Sequence, residues 1–390
     1  MKSRYLWIIL GVAIFLATVV IIDKLKLSSE KDLQVKEATA STTQGSINLR
    51  TCDQTQTSLS GPLVPDQGNT ELDADLSEIT AVEKIPESTW STRAGFGIST
   101  STDPYHWAQL LGSGWYIDWS IRTEHPIEFL EHWQMVRVHE DCISPSVEEI
   151  RSTASRYPGQ VWIIGNEPDV IWQDNITAGK YAATYHELYQ LIKTSDPSSL
   201  IAIGGVSQST PLRLQYLDQV LHAYQDLYHG QLPLDWWTVH GYVLREEKGS
   251  WGVDIPPGIE TTQGELREVE DHGRIDLFEL QLRTFRQWME EHGYQDTPLA
   301  LTEFGILMPS AYGFPSEVVI SYLEQTFAWL LHTQDEAIGY PEDGYRLVQK
   351  WAWFSIADPT YSSSNLGDLP SGKLTLVGES FRNVVISMNP

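Results

Sequence analysis

The chain has 390 residues, 41% of them hydrophobic, with 15 Trp, 17 Tyr and 10 Phe, enough for one large core and more rings than packing alone requires. Its 52 acidic residues against 26 basic ones leave a formal charge of -26, which argues against nucleic acid and anionic lipid surfaces as partners, since no basic stripe is present to meet their phosphates. Two cysteines, Cys52 and Cys142, exclude a disulfide framework and a four-cysteine zinc site; with no spacing rule to join them they are read as unpaired thiols, a single bridge being the alternative.

In chain order, Lys2 and Arg4 precede an uncharged, almost wholly apolar run from Tyr5 to Ile22, which Asp23, Lys24 and Lys26 end. A run of about 18 residues is just long enough to cross a hydrocarbon core, and the basic flank keeps its N-terminus in the cytoplasm. Val19 to Ile22 stand where a small-residue cleavage site belongs, so residues 1–26 are read as an uncleaved transmembrane anchor, with secretion as the alternative. Residues 27–88 contain no aromatic residue and are rich in Ser, Thr, Gln, Asp and Glu, the composition of a disordered acidic linker. The catalytic-type folded domain is expected over 89–390.

Within that domain short apolar runs alternate with amphipathic stretches. The strands are expected at Ala94–Ile98, Trp115–Trp119, Met135–Val138, Val161–Ile164, Leu200–Gly204, Trp236–Val239, Leu299–Thr302 and Trp351–Ser355. Between them, Ser146 and Glu149 have capping-box spacing, Pro211 opens a helix running towards Gly230, and Phe278, Leu282, Phe285 and Met289 share one helical face that ends near Gly293. Eight such repeats predict an α/β chain of the (β/α)8 TIM-barrel type, with an open doubly wound sheet as the alternative. No glycine-rich phosphate loop follows any strand, so no nucleotide cofactor is expected.

Catalytic groups of a barrel sit where strands reach the C-terminal rim. Strand four delivers Asn166, Glu167 and Pro168; strand six delivers His240 and Tyr242; strand seven delivers Glu303; strand eight runs through Trp351 and Trp353. A single Asn-Glu-Pro is weak, because Pro also opens ordinary turns. Two glutamates ending strands four and seven face each other across the mouth, and retaining glycoside hydrolysis requires one ionised and one protonated carboxyl about 5 to 5.5 Å apart. The anion raises its partner's pKa and so keeps the acid's proton in place.

Asn-Glu-Pro after strand four, His-x-Tyr after strand six, Thr-Glu-Phe-Gly at strand seven and the Trp-rich strand eight together resemble the clan A retaining glycoside hydrolases. The stretch Gly372 to Arg382 (GKLTLVGESFR) is similar to the last segment of the glycosyl hydrolase catalytic-core group, which includes β-1,3-glucanases. The resemblance covers about residues 93 to 386. It implies Glu167 as acid/base, Glu303 as nucleophile, Asn166 on the sugar 2-hydroxyl, Tyr242 as donor to Glu303 with His240 beside it, and Trp353 as the platform under the sugar. The clan commonly holds its nucleophile with an Arg near strand two, a role open here to Arg122 or Arg137.

Each assignment has a structural counterpart. His240 and Tyr242 also suit rim packing, Trp353 a place in the core, and Arg137 a structural ion pair. His139, Glu140 and Asp141 lack the spacing of a metal site, and no metal is expected. Trp172 and Tyr312 suit either sugar platforms or packing, and the long stretch Arg245–Glu270 suits a cleft wall. The sequence reading is therefore a membrane-anchored, extracytoplasmic glycosidase of a β-linked poly- or oligosaccharide, without cofactor and of undetermined oligomeric state. Its rival is a tethered glycan-binding protein on the same barrel.

Overall fold

The computed structural model describes residues 49–52 and 84–388. The anchor run Tyr5–Ile22 and most of the linker lie outside them; among the described residues no helix is long and apolar enough to cross a membrane. Eight parallel strands form the barrel: β1 (Ala94–Gly97), β2 (Trp115–Ile117), β3 (Glu131–Val138), β4 (Val161–Ile164), β5 (Leu200–Ile203), β6 (Trp237–His240), β7 (Leu299–Phe304) and β8 (Lys350–Trp353). Their order is β5-β4-β3-β2-β1-β8-β7-β6, and isolated bridges Ala202↔Trp236 and Val206↔Val239 join β5 to β6. All eight expected strands are present, and β3 begins four residues earlier than its apolar run suggests because Glu131 and His132 pair with β2.

Among the described residues seven α-helices pack outside: α1 (Pro104–Leu111), α2 (Val147–Arg156), α3 (Ala178–Ser195), α4 (Pro211–Tyr228), α5 (Ile275–Glu291), α6 (Ser316–His332) and α7 (Leu376–Met388). The capping box of α2 forms as its spacing predicts, Ser146 Oγ accepting from Glu149 N–H and Glu149 accepting from Ser146 N–H. Pro211 opens α4, but the helix stops two residues short of Gly230: His229 itself takes the left-handed cap, at φ 56°. No helix lies between β2 and β3.

Strand alternation splits the apolar residues into two layers. In β4, Val161 and Ile163 face the barrel interior while Trp162 and Ile164 face the helices. The interior holds Trp115 and Trp133 beside Ala202, Ala300 and Ala352, so small residues on opposite staves make room for two indoles. Gly95 extends the same rule, since a Cβ there would stand 2.4 Å from the Trp115 ring. At the N-terminal mouth Lys350 caps this aromatic column, its Nζ 5.2 Å from the Trp115 ring and 2.6 Å from Glu131.

Two ties secure the C-terminal rim. Cys52 and Cys142 form a disulfide, which overturns the reading of unpaired thiols. The cause is a contact that sequence distance hides: Cys52 N–H donates to Ile143 O (2.9 Å) and Ile143 N–H donates to Arg50 O (2.8 Å), so residues 50–52 lie along residue 143 and bring the two Cα atoms to 4.9 Å. The second tie is His272, fully buried, whose Nδ1 donates to Val243 O (3.0 Å) and whose Nε2 accepts from Leu307 N–H (2.9 Å). It joins the segment after β6 to the segment after β7, and burial lowers its pKa to about 4.

Closing a loop of 90 positions restricts the unfolded chain, so replacing both cysteines by serine should cost about 2–4 kcal/mol in denaturant unfolding. For His272 the folded pKa lies below the unfolded value of about 6.5, so its contribution is complete above pH 6.5 and declines as pH falls towards 4, by about 3 kcal/mol in all. A His272→Gln variant should be less stable at pH 7 yet show a flatter stability profile between pH 6.5 and 4; equal slopes for variant and parent would contradict this role.

Candidate active site

Just beyond β4 the chain leaves extended geometry: Gly165 has φ 95° and Glu167 φ 44°. A side chain at the first position would meet Tyr181 and Val138, and a glutamate in the left-handed region is strained. Two contacts hold this turn. Glu167 N–H donates to Gly205 O (2.9 Å), and the Asp174 carboxylate accepts from Asn166 N–H (2.7 Å), Val138 N–H (2.9 Å) and Arg137 Nε (2.6 Å). Glu167 is consequently aimed from a rigid turn into the mouth of the barrel.

Glu303 lies within β7, and the two carboxylates meet around His240. The His240 Nδ1 is 3.0 Å from Glu167 Oε1 and its Nε2 3.6 Å from Glu303 Oε1. One ligand-type atom from each of the three residues falls within 4.8 Å of the others, and all three are buried. Glu303 accepts two further hydrogen bonds, from Trp119 Nε1 (2.6 Å) on Oε1 and from the Tyr242 hydroxyl (3.2 Å) on Oε2.

Burial in this low-dielectric floor raises both carboxyl pKa values. For Glu167 desolvation is the main cause, reinforced by the nearby Asp169 charge, and the value reaches about 8. Glu303 is also raised by desolvation, against which His240, Trp119 and Tyr242 pull it down. Desolvation lowers His240, so the imidazole is neutral. Two interacting acids titrate as a pair, and the pair's proton belongs on Glu167, because the donors that favour a charge converge on Glu303.

The remaining sequence candidates divide. His240 and Tyr242 contact the glutamates, and Asn166 is buried beside Glu167 with its Oδ1 lacking a hydrogen-bond partner. Arg122 instead pairs with Asp118, and Arg137 with Asp174 and Gln173; neither touches Glu303. Trp353 is fully buried, its Nε1 donating to Ser364 O (2.8 Å) and its ring packed on Phe304 (5.2 Å), which removes it as a sugar platform. The next residue faces the mouth: Phe354 is half-buried, 5.6 Å from the Trp119 ring and 6.5 Å from Tyr242. Odd and even residues of a strand point oppositely, so the one-residue error moved the ring from cleft to core.

His139 and Glu140 have local partners, Asp174 O and the Thr177 cap respectively, and do not converge on an ion. Trp172, Trp251 and Tyr312 are half-buried and pack on the core. Sequence reasoning missed Trp119, which sits two residues past β2 at φ 56°; its position at a strand end was the available signal, passed over in the search for a cation. It also missed Arg213, fully buried, which binds Glu246 (3.0 Å), Asp169 (3.3 Å) and the carbonyls of Val253 and Asp254, pinning the 245–270 segment beside Glu167's turn.

No known protein family matches the chain by sequence, and no curated protein matches it. Solved structures do. A GH128 (subgroup II) endo-beta-1,3-glucanase from Pseudomonas viridiflava is 16% identical with a TM-score of 0.52, over 75% of this chain and 98% of that one. A GH128 (subgroup I) endo-beta-1,3-glucanase from Amycolatopsis mediterranei, in complex with laminaritriose, is 13% identical with a TM-score of 0.51, over 75% and 100%. A GH128 (subgroup II) endo-beta-1,3-glucanase from Sorangium cellulosum is 17% identical with a TM-score of 0.50, over 75% and 98%. The chain shares with these enzymes the (β/α)8 barrel fold.

Proposed function

We propose that the chain is a retaining glycoside hydrolase acting on a β-linked glucan, with β-1,3-glucan the first substrate to test. The observation that carries this reading is the pair of buried carboxylates, Glu167 and Glu303, whose oxygens approach within 4.8 Å while their surroundings differ. That close approach favours the short carboxyl separation of retaining enzymes, about 5 to 5.5 Å, over the about 6.5–9.5 Å that makes room for an inverting enzyme's water. The substrate class is supported by the fold shared with endo-beta-1,3-glucanases.

In the first step Glu303 attacks the anomeric carbon while Glu167 protonates the departing glycosidic oxygen. The glycosyl ester removes the charge on Glu303 and so lowers the Glu167 pKa, leaving Glu167 ionised to take a proton from the water that attacks the anomeric carbon as the ester bond breaks and the Glu303 carboxylate is released. Trp119 and Tyr242 hold the nucleophile ionised and aimed, Asn166 binds the sugar 2-hydroxyl, and Phe354 with Trp119 supplies the aromatic wall against which a pyranose stacks. The Cys52–Cys142 bridge supports an oxidising compartment, and we place the domain outside the cytoplasm, tethered by Tyr5–Ile22 or secreted.

Glu303→Gln and Glu167→Gln should each lower kcat at least about 10³-fold on the substrate the parent cleaves, without loss of glycan binding. Reducing-end release from a glycan panel, followed by NMR of the first-formed anomer, is the measurement; an inverted anomer or undiminished variants would refute the mechanism. The parent's kcat/KM should fall on the alkaline side near pH 8, where Glu167 loses its proton.

Trp119→Phe removes a donor that lowers the Glu303 pKa. The acid limb should therefore move to higher pH, and kcat should fall about 10–100-fold, the value of one hydrogen bond to a charged group. A rise in KM alone, with an unmoved acid limb, would assign Trp119 to substrate packing instead.

A further inference from the structure

We propose that Glu167, His240 and Glu303 also form a binding site for one divalent transition-metal ion of the zinc class, and that such an ion shuts the cleft by occupying the position of the scissile bond. The donors are an imidazole and two carboxylates, with one atom of each within 4.8 Å of the other two. Side-chain exposures of 1% for His240, 4% for Glu167 and 8% for Glu303 place all three on the floor of the mouth. The independent sign of a ligand is His240 Nε2, a buried nitrogen with no hydrogen-bond partner, facing Glu303 Oε1 at 3.6 Å.

The distances suit an ion of that size. One held about 2.1 Å from both Nε2 and Oε1 would see them at an angle of about 118°, near tetrahedral. Three tetrahedral ligands stand about 3.4 Å apart, so Glu167 closes the set by leaving His240 Nδ1 and swinging an oxygen towards the Nε2 side, the cation's charge displacing the proton that the glutamate pair otherwise keeps, and the open fourth position takes water. Mixed nitrogen and oxygen donors favour Zn²⁺, Co²⁺ and Cu²⁺. Ca²⁺ demands six to eight oxygens and Mg²⁺ a near-ideal octahedron, which three buried side chains do not supply. The double-displacement reaction uses no ion, so binding and hydrolysis exclude each other: the ion consumes the lone pairs that attack and accept a proton.

The test uses the full chain freed of metal by chelation. Calorimetric titration with Zn²⁺ should show one equivalent whose affinity Mg²⁺ and Ca²⁺ do not reduce, and Co²⁺ should give the intense visible absorption of a four-coordinate site. Glu167→Gln and Glu303→Gln, near-isosteric changes, should each weaken that equivalent at least tenfold with unchanged circular dichroism; His240→Asn should do the same, and if it fails to fold the two glutamine variants decide. Zinc binding that survives both glutamine changes, or a weak octahedral Co²⁺ spectrum, would overturn the site and assign the ion to surface histidines. In the parent, Zn²⁺ should inhibit hydrolysis competitively with glycan. The site rests on geometry rather than on the hydrolase reading, so a chain that cleaves no glycan but gives the tetrahedral Co²⁺ spectrum would sink the reading and leave the site standing.

Discussion

Two carboxylates buried with oxygens within 4.8 Å of each other cannot both carry a charge, and the architecture of the mouth follows from that constraint. Water would otherwise screen the repulsion; here the pair lies on a floor where desolvation already penalises each anion. The asymmetry that resolves it is a matter of which donors reach which oxygen. Trp119 and Tyr242 both end on Glu303, whereas the Glu167 carboxylate has one hydrogen-bond partner among the described residues, the neutral His240. A proton shared by the pair therefore has a preferred home, and the two glutamates acquire different chemical roles from identical side chains.

Such a pair repels unless its backbone is stiff, and buried ion pairs supply the stiffness. Arg137 orients Asp174, which takes the amides of Asn166 and Val138 and so fixes the left-handed turn at Glu167. Arg213 does the equivalent for Asp169, two residues further on, and for the 245–270 segment. Buried ion pairs are poor sources of net stability, since desolvation offsets their attraction, but removing one partner leaves an uncompensated charge. Their value here is positional: Arg137 donates to the Asp174 carboxylate and the Gln173 amide oxygen, and Arg213 to Glu246 and the carbonyls of Asp169, Val253 and Asp254, all bordering the Glu167 turn. The strain at Glu167, at positive φ, is carried by this surrounding network.

The barrel and the pair of glutamates were legible in the sequence because both follow from local pattern. Apolar runs with β-branched residues mark staves, and VWII and LALT each deliver a glutamate at their ends. His240 and Tyr242 were legible for the same reason. What was hidden depends on tertiary placement. Phe354 rather than Trp353 faces the cleft because the phase of β8 at its end is not readable from composition, and a one-residue shift reverses every side chain. The Cys52–Cys142 bridge joins residues 90 positions apart through a contact of residue 143 with a segment read as linker. The donor to Glu303 was sought among arginines because a cation is the obvious stabiliser of an anion, and the structure supplies the Trp119 indole instead.

That substitution of a neutral donor for a cation follows from the same constraint. A guanidinium beside Glu303 would stabilise its charge, but at these distances its field would also reach Glu167 and lower the pKa that keeps its proton in place. A Trp N–H stabilises one oxygen through a short directional bond and adds no net charge, so its influence falls away by the second carboxylate. The two arginines that do approach, Arg137 and Arg213, pull the Glu167 pKa down, but each is paired with carboxylates, Asp174 for one and Asp169 with Glu246 for the other, and desolvation with the Asp169 charge outweighs them. The local field therefore stays negative on the Glu167 side, where Asp169 adds to the upward pull on its pKa. A close pair of carboxyls that holds one proton on one member needs contrast between its members more than stabilisation of either, and directional neutral donors provide that contrast where a mobile or extended positive field would erase it.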